Sequence, residues 1–206
     1  MTTIYLIRHS KPLKVNNDLN SDNIQIQNEK SSLSIEGEKI AKEKLSIDEF
    51  NNIDTIYSSN YVRAIQTAKY LSEAKNIEIK IFSKLGERKF GINSWDELPE
   101  KFERKQFLDE TYKIGDGENQ IEVRERMYSA ITDILEHNKN KQVAVVSHAT
   151  AISYLLRKWC DISIVNDKLR YSFNGKILLE GYLDYCEIFK LTFDDNNNLI
   201  DIKNIK

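Results

Sequence analysis

The chain has 206 residues, 40% of them hydrophobic, enough to bury one sizeable core with a modest insertion. Thirty basic against thirty-two acidic side chains leave a net charge of −2, so no global basic field points to nucleic acid and no acidic tail to a chaperone or chromatin role. The only two cysteines, Cys160 and Cys186, are too far apart for a CxxC metal or redox motif, and neither is followed by the arginine of a thiolate-phosphatase loop.

Ile4-Tyr5-Leu6-Ile7 is a continuous apolar run, bounded at Pro12, and reads as a buried strand of a parallel sheet. It leads directly into Arg8-His9. Open α/β sheets bind ligands outside the carboxyl ends of their strands, so the pair is a candidate site, although a lone histidine there is more often a hydrogen-bonded structural residue. Residues 13–32 are polar and Asn-rich without a sustained period, and read as a long loop. Ser34 reads as the N-cap of a helix with Ile40, Ala41 and Leu45 on its stripe. Asp54-Thr55-Ile56-Tyr57 is a second short strand, and Ser58-Ser59-Asn60 offers caps for a helix whose Val62, Ile65, Ala68 and Leu71 share one face. Arg63 falls in the first turn of that helix, off the stripe. The helix dipole disfavours a cation there, so Arg63 makes better sense with an anion between it and the helix start.

Residues 77–82 alternate apolar and polar and read as a third strand, whose exit loop delivers Glu87 beside Arg88 and Lys89. Residues 93–117 break the β/α alternation, with Trp95, Phe102, Phe107 and Tyr112 among many charges and a short helix near 101–105. They read as an insertion that covers the strand ends and forms a substrate rim. Asn119 with Glu122 is a capping pair for a long amphipathic helix carrying Val123, Met127, Ile131 and Ile134, with His137 a surface residue at its end. Gln142-Val143-Ala144-Val145-Val146 is another apolar strand, ending in Ser147-His148, and a helix with Ile152, Leu155, Leu156 and Trp159 follows. A polar stretch to Tyr182 precedes a terminal hairpin, with strands at 187–193 and 199–202. The expected fold is a single α/β domain over residues 1–206: a three-layer α/β/α sandwich with a mostly parallel central sheet and a C-terminal antiparallel hairpin.

A parallel sheet brings Arg8, His9, Arg63, Glu87 and His148 to one edge. Two arginines, two imidazoles and one carboxylate are the parts needed for phosphoryl chemistry without a metal: donors for equatorial oxygens, a nucleophile and a proton donor. At these residues the chain resembles the histidine phosphatase superfamily, the phosphoglycerate-mutase-like family. Leu6-Ile7-Arg8-His9 stands at its Arg-His-Gly signature and Leu33-Ser34-Ile35-Glu36-Gly37 at its Leu-Thr-x-x-Gly segment. The stretch from Ser58 through Arg63-Ala64-Ile65-Gln66-Thr67-Ala68 matches Ser-x-x-x-x-Arg-Ala-x-Gln-Thr-Ala, the most specific piece. Leu85-Gly86-Glu87 through Gly91, Gly117-Glu118 with the helix after it, and Ser147-His148 complete the set in order.

The resemblance implies that His9 is the nucleophile, that Arg8, Arg63 and His148 grip the phosphate, and that Glu87 protonates the leaving alkoxide and then activates water. Asn16 stands near the family's phosphate-loop asparagine. The cations Arg88 and Lys89 favour the charged form of Glu87, so an acid role requires that their side chains turn away or that bound phosphate opposes them. Ser10 replaces the signature glycine and is strained if the position needs a positive φ. Lys11-Pro12 stands where many members carry Glu-Thr, and Lys11 either recognises substrate charge or faces water. The implied activity is metal-independent hydrolysis of a small phosphorylated substrate through phosphohistidine, with no cofactor. The alternatives are a cofactor-dependent phosphoglycerate mutase and a non-catalytic phospholigand-binding module. Few cysteines, no signal-like start and no apolar run near the ~20 residues of a membrane span imply a cytoplasmic chain without nucleic-acid or membrane partners. A homodimer is left open.

Overall fold

The computed structural model describes residues 1–15, 23–166 and 168–206. In chain order its elements are β1 (Thr2–Arg8), α1 (Ile24–Lys30), α2 (Ile35–Lys44), β2 (Thr55–Ser58), α3 (Val62–Lys75), β3 (Ile79–Ile81), α4 (Phe102–Leu108), α5 (Gln120–His137), β4 (Gln142–Ser147), α6 (Ala149–Leu156), β5 (Asp161–Val165), β6 (Lys168–Phe173), β7 (Lys176–Glu180), β8 (Ile188–Phe193) and β9 (Leu199–Ile205). The main sheet runs β3-β2-β4-β1-β8-β9. Its first four strands are parallel, and β8 and β9 add antiparallel to β1 as the expected hairpin.

The central strands are apolar on both faces because both faces are covered. Ile4, Leu6, Val143 and Val145 pack under α5 and α6, whereas Tyr5, Ile7, Ala144 and Val146 pack against α3 and the 45–53 segment. Ser34 caps α2 by accepting from Gly37 N at 3.0 Å, and Asn119 and Glu122 close a reciprocal capping box on α5.

Three expectations change. The 13–32 loop contains α1, started by Asn23, whose side chain accepts from Ile26 N at 2.9 Å. Only Ile24 of this helix is buried, so its sequence carries no apolar stripe to read. The buried face of α3 is rotated from the expected stripe: Arg63, Ala64, Thr67, Ala68 and Leu71 are inside, whereas Val62 and Ile65 are only half-buried. Arg63 therefore lies on the inward face, 5% exposed. The polar stretch before Tyr182 is a separate antiparallel sheet, β5-β6-β7. Its signal was present in Asn174-Gly175, which joins two alternating runs and takes φ of 49° and 77°, the pair of positive values that a two-residue hairpin turn demands.

Candidate active site

Strand register assembles the site. Arg8 is opposite Ser147 where β1 pairs with β4, and Ser58 is opposite Val146 where β2 pairs with β4. The next residues along, His9, His148 and Ser59, therefore meet just beyond the carboxyl ends of three adjacent strands. His9 N donates to Ser147 O at 2.9 Å and Ser59 N to Val146 O at 3.1 Å, so the ladder continues one step past the strands. The rings of His9 and His148 lie edge to face, with centroids 4.9 Å apart.

The hydrogen bonds fix which nitrogen of each ring carries the proton. His9 Nδ1–H donates to the carbonyl of Ser10 at 2.7 Å, which leaves Nε2 unprotonated and facing Arg63 Nε at 3.0 Å. His148 Nε2 meets Ser59 Oγ at 2.8 Å, and its Nδ1 faces Arg63 Nη2 at 3.3 Å. Burial pushes both imidazoles well below their ordinary range, reinforced at His9 by Arg63 and at His148 by His9 and Arg63. Both rings are neutral. Tyr61 roofs the cluster, its ring 4.4 Å from that of His148 and 4.8 Å from the Arg63 guanidinium carbon, and burial holds its hydroxyl pKa up to about 12.

A stability consequence follows from the two neutral rings. In the unfolded chain each titrates near 6.5, so below that pH the unfolded state binds protons that the native state excludes. Their contribution is therefore complete above pH 6.5 and is lost on acidification, at up to about 1.4 kcal/mol per pH unit for each ring. Urea unfolding at pH 7 and 5.5 should show this loss, and His148→Gln should remove about half of it. An unchanged pH dependence in that variant would contradict a neutral buried His148.

The α3 motif is legible contact by contact. Gln66 Oε1 accepts from Leu33 N at 2.6 Å, and Thr67 Oγ1 accepts from Ser10 N at 3.0 Å. The serines before α3 do not cap it. Tyr61 is the N-cap without a side-chain bond, and Arg63 N donates instead to Ser31 O at 3.1 Å, which frees Ser59 for His148. Ser10 is fully buried and lies outside the left-handed region, so the expected strain is absent. Its Oγ donates to Gly37 O at 2.6 Å. Gly37 in turn must be glycine, because a Cβ there would stand 2.1 Å from the carbonyl oxygen of Lys11. Lys11 pairs with Glu36 on the surface.

Glu87 reaches the cluster from another direction. Its carboxylate accepts from Ala151 N at 3.0 Å and Thr150 N at 3.3 Å, in the first turn of α6, and from Arg88 N at 2.9 Å. His148 is the N-cap of that same helix, so one turn of backbone positions both groups. The loop before Glu87 is tied down by Ser147 Oγ to Leu85 O at 2.7 Å and by Arg126, which donates to Lys84 O at 2.7 Å and to Gly86 O at 3.2 Å. Arg126 is itself held by Glu118 at 2.8 Å. The neighbouring cations do turn away: Arg88 is buried against Glu103 and Gln106, and Lys89 is exposed.

Arg8 stands at the rim of this cluster. Its guanidinium donates to Leu183 O and stacks 4.4 Å from the Tyr185 ring centroid, and its buried Nε has no partner. Asn16 lies outside the described residues. The structure thus brings His9, Arg63, Glu87 and His148 together with Arg8 at the rim, and adds Ser59, Tyr61 and the Arg126–Glu118 brace, whose placing depends on what folds next to them.

A sequence profile described as Histidine phosphatase superfamily (branch 1) matches residues 4–202. The chain belongs to the histidine phosphatase superfamily. The curated relatives of this histidine phosphatase include the probable phosphoglycerate mutase GpmB of Escherichia fergusonii, 30% identical over 164 residues that cover 76% of this chain and 74% of that protein. The protein of the same name from Salmonella arizonae matches at the same identity and coverage. Among solved structures, a mycobacterial glucosyl-3-phosphoglycerate phosphatase complexed with VO3 superposes with a TM-score of 0.72 at 16% identity, covering 98% of this chain and 96% of the other. A phosphoserine phosphatase mutant of Entamoeba histolytica in complex with phosphoserine gives 0.66 at 20%, with coverage of 98% and 97%. This histidine phosphatase is an enzyme of the phosphatase and phosphoglycerate-mutase-like type, and its activity is phosphoryl transfer.

Proposed function

We propose that the protein is a metal-independent phosphomonoesterase that hydrolyses a small phosphorylated substrate through a phosphohistidine on His9. The observation that carries this reading is the tautomer of His9: its Nδ1–H is held by the Ser10 carbonyl at 2.7 Å, so Nε2 carries the lone pair, which accepts from Arg63 Nε at 3.0 Å in the resting site and attacks once phosphate oxygens take that N–H. Nε2 bonds to phosphorus as the ester P–O bond breaks, and Glu87 gives a proton to the departing oxygen. The Glu87 carboxylate then takes a proton from water, whose oxygen displaces His9 and releases inorganic phosphate. Arg63 and Arg8 hold the equatorial oxygens with charge-assisted bonds, supplying the positive charge that a metal ion provides elsewhere. His148 adds a third donor from Nδ1 once its proton moves there, and the Ser59 hydroxyl, able to donate as well as accept, then bonds Nε2. Asn16 is a further phosphate ligand on this reading. The two unpaired, buried cysteines fit a cytoplasmic setting.

The names of the curated relatives favour a second reading, a mutase that returns the phosphoryl group to another oxygen of the substrate. Incubation with 3-phosphoglycerate, with and without a bisphosphorylated primer, separates the two. Release of inorganic phosphate across a phosphomonoester panel, undiminished by EDTA, supports the hydrolase, whereas primer-dependent formation of the 2-isomer would replace it.

A further inference from the structure

We propose that the alcohol leaving from this site is bulky and apolar, aryl or arylalkyl in character, rather than a polyol or hydroxy acid. The proposal rests on the phosphomonoesterase reading and names the class of its substrate. A cavity of about 720 Å³ opens beside α6 and has both Arg8 and Thr150 in its wall. Thr150 is the residue whose backbone N–H holds Glu87 at 3.3 Å. A leaving group protonated by Glu87 thus has this space next to it, reached past Arg8 and the first turn of α6. The volume falls within the roughly 300–1,000 Å³ typical of sites that enclose whole ligands, far more than a three-carbon acid fills.

Much of the wall is carbon. Phe107 comes from α4, Ile162 and Ile164 from β5, Leu169 and Tyr171 from β6, and Leu183 from the segment after β7. The β5–β6 register sets Ile162 opposite Tyr171 and Ile164 opposite Leu169, so these side chains stand together on one face of the small sheet. Several polar groups among them are already engaged. Tyr171 Oη pairs with Ser153 Oγ at 2.8 Å, Tyr154 Oη donates to Gln106 Oε1 at 2.9 Å, and Arg157 binds Glu110 at 3.2 Å while stacking on Phe107. A polyol would lose its water against these side chains of β5 and β6, whereas an aromatic ring would bury surface there. Lys101, Arg104 and Lys168 outnumber Glu103 in the same lining and leave it a positive field that draws in a phosphomonoester dianion.

The test compares two alkyl phosphates of similar leaving-group basicity. The kcat/KM for 3-phenylpropyl phosphate should exceed that for propyl phosphate by about 10- to 100-fold, the value of burying one ring. Ile164→Asp should bring the two within about threefold of each other, chiefly by lowering the value for 3-phenylpropyl phosphate. Phe107→Ala provides the same comparison if the first variant does not fold. Equal values in the native enzyme would overturn the proposal. If neither ester is turned over, the phosphomonoesterase reading falls, and calorimetry with propylphosphonate and 3-phenylpropylphosphonate decides the cavity separately. Tighter binding of the aryl ligand upholds it, and equal or undetectable binding of both overturns it.

Discussion

His9→Ala should lower phosphomonoester turnover about 10⁴-fold or more, because it removes the atom that accepts the phosphoryl group. The structural cost should be modest by comparison. The side chain is 5% exposed and its hydrogen bonds are to the Ser10 carbonyl and to Arg63, so the variant leaves a polar hole that water can enter rather than a break in the core. The native enzyme, quenched during turnover, should yield a phosphoenzyme that is labile to acid and stable to alkali. The variant should yield none, with an unchanged circular dichroism spectrum. Turnover retained within tenfold would exclude His9 as the nucleophile whatever the fate of the other groups.

Glu87→Gln should produce a loss that depends on the leaving group. General acid catalysis contributes roughly 10²–10⁴-fold when the departing oxygen needs a proton, and little when it does not. Alkyl phosphates should therefore slow by about 10²-fold or more and p-nitrophenyl phosphate by less than tenfold. Glutamine is chosen because its Oε1 can still accept from the Ala151 N–H that Glu87 engages at 3.0 Å, so α6 and His148 keep their places. Losses of equal size for both esters would mean that the carboxylate positions the helix and transfers no proton.

Much of this site could be read from the chain because its chemistry sits on local signals. An apolar run that ends in Arg8-His9, another that ends in Ser147-His148, and the stretch from Ser58 to Ala68 each carry their meaning within a dozen residues. The serines before α3 show where such reading fails. Polar residues before a helix look like caps, and only the packing of Ser31 against Arg63 N shows that the cap is supplied from elsewhere. The rotation of α3 is a similar case: Arg63 and Thr67 look like an outer face until Ser10 and His9 are seen against them. Hydrophobic periodicity cannot report a buried polar face, because the pattern that it detects is absent there.

The sequence by itself determined β1 to β4 with the helices α2, α3, α5 and α6, the parallel sheet with its terminal hairpin, and the residue types gathered at the strand ends. Those follow from periodicity and strand termination, which are local. Only the tertiary structure decided that Arg63 points inward, that Ser10 is unstrained, that Arg88 turns from Glu87 to Glu103, and that β5 and β6 bring Ile162, Ile164, Leu169 and Tyr171 to the cavity beside Arg8. Each depends on contacts between segments distant in the chain, where register and burial choose among conformations that the local sequence leaves equally open.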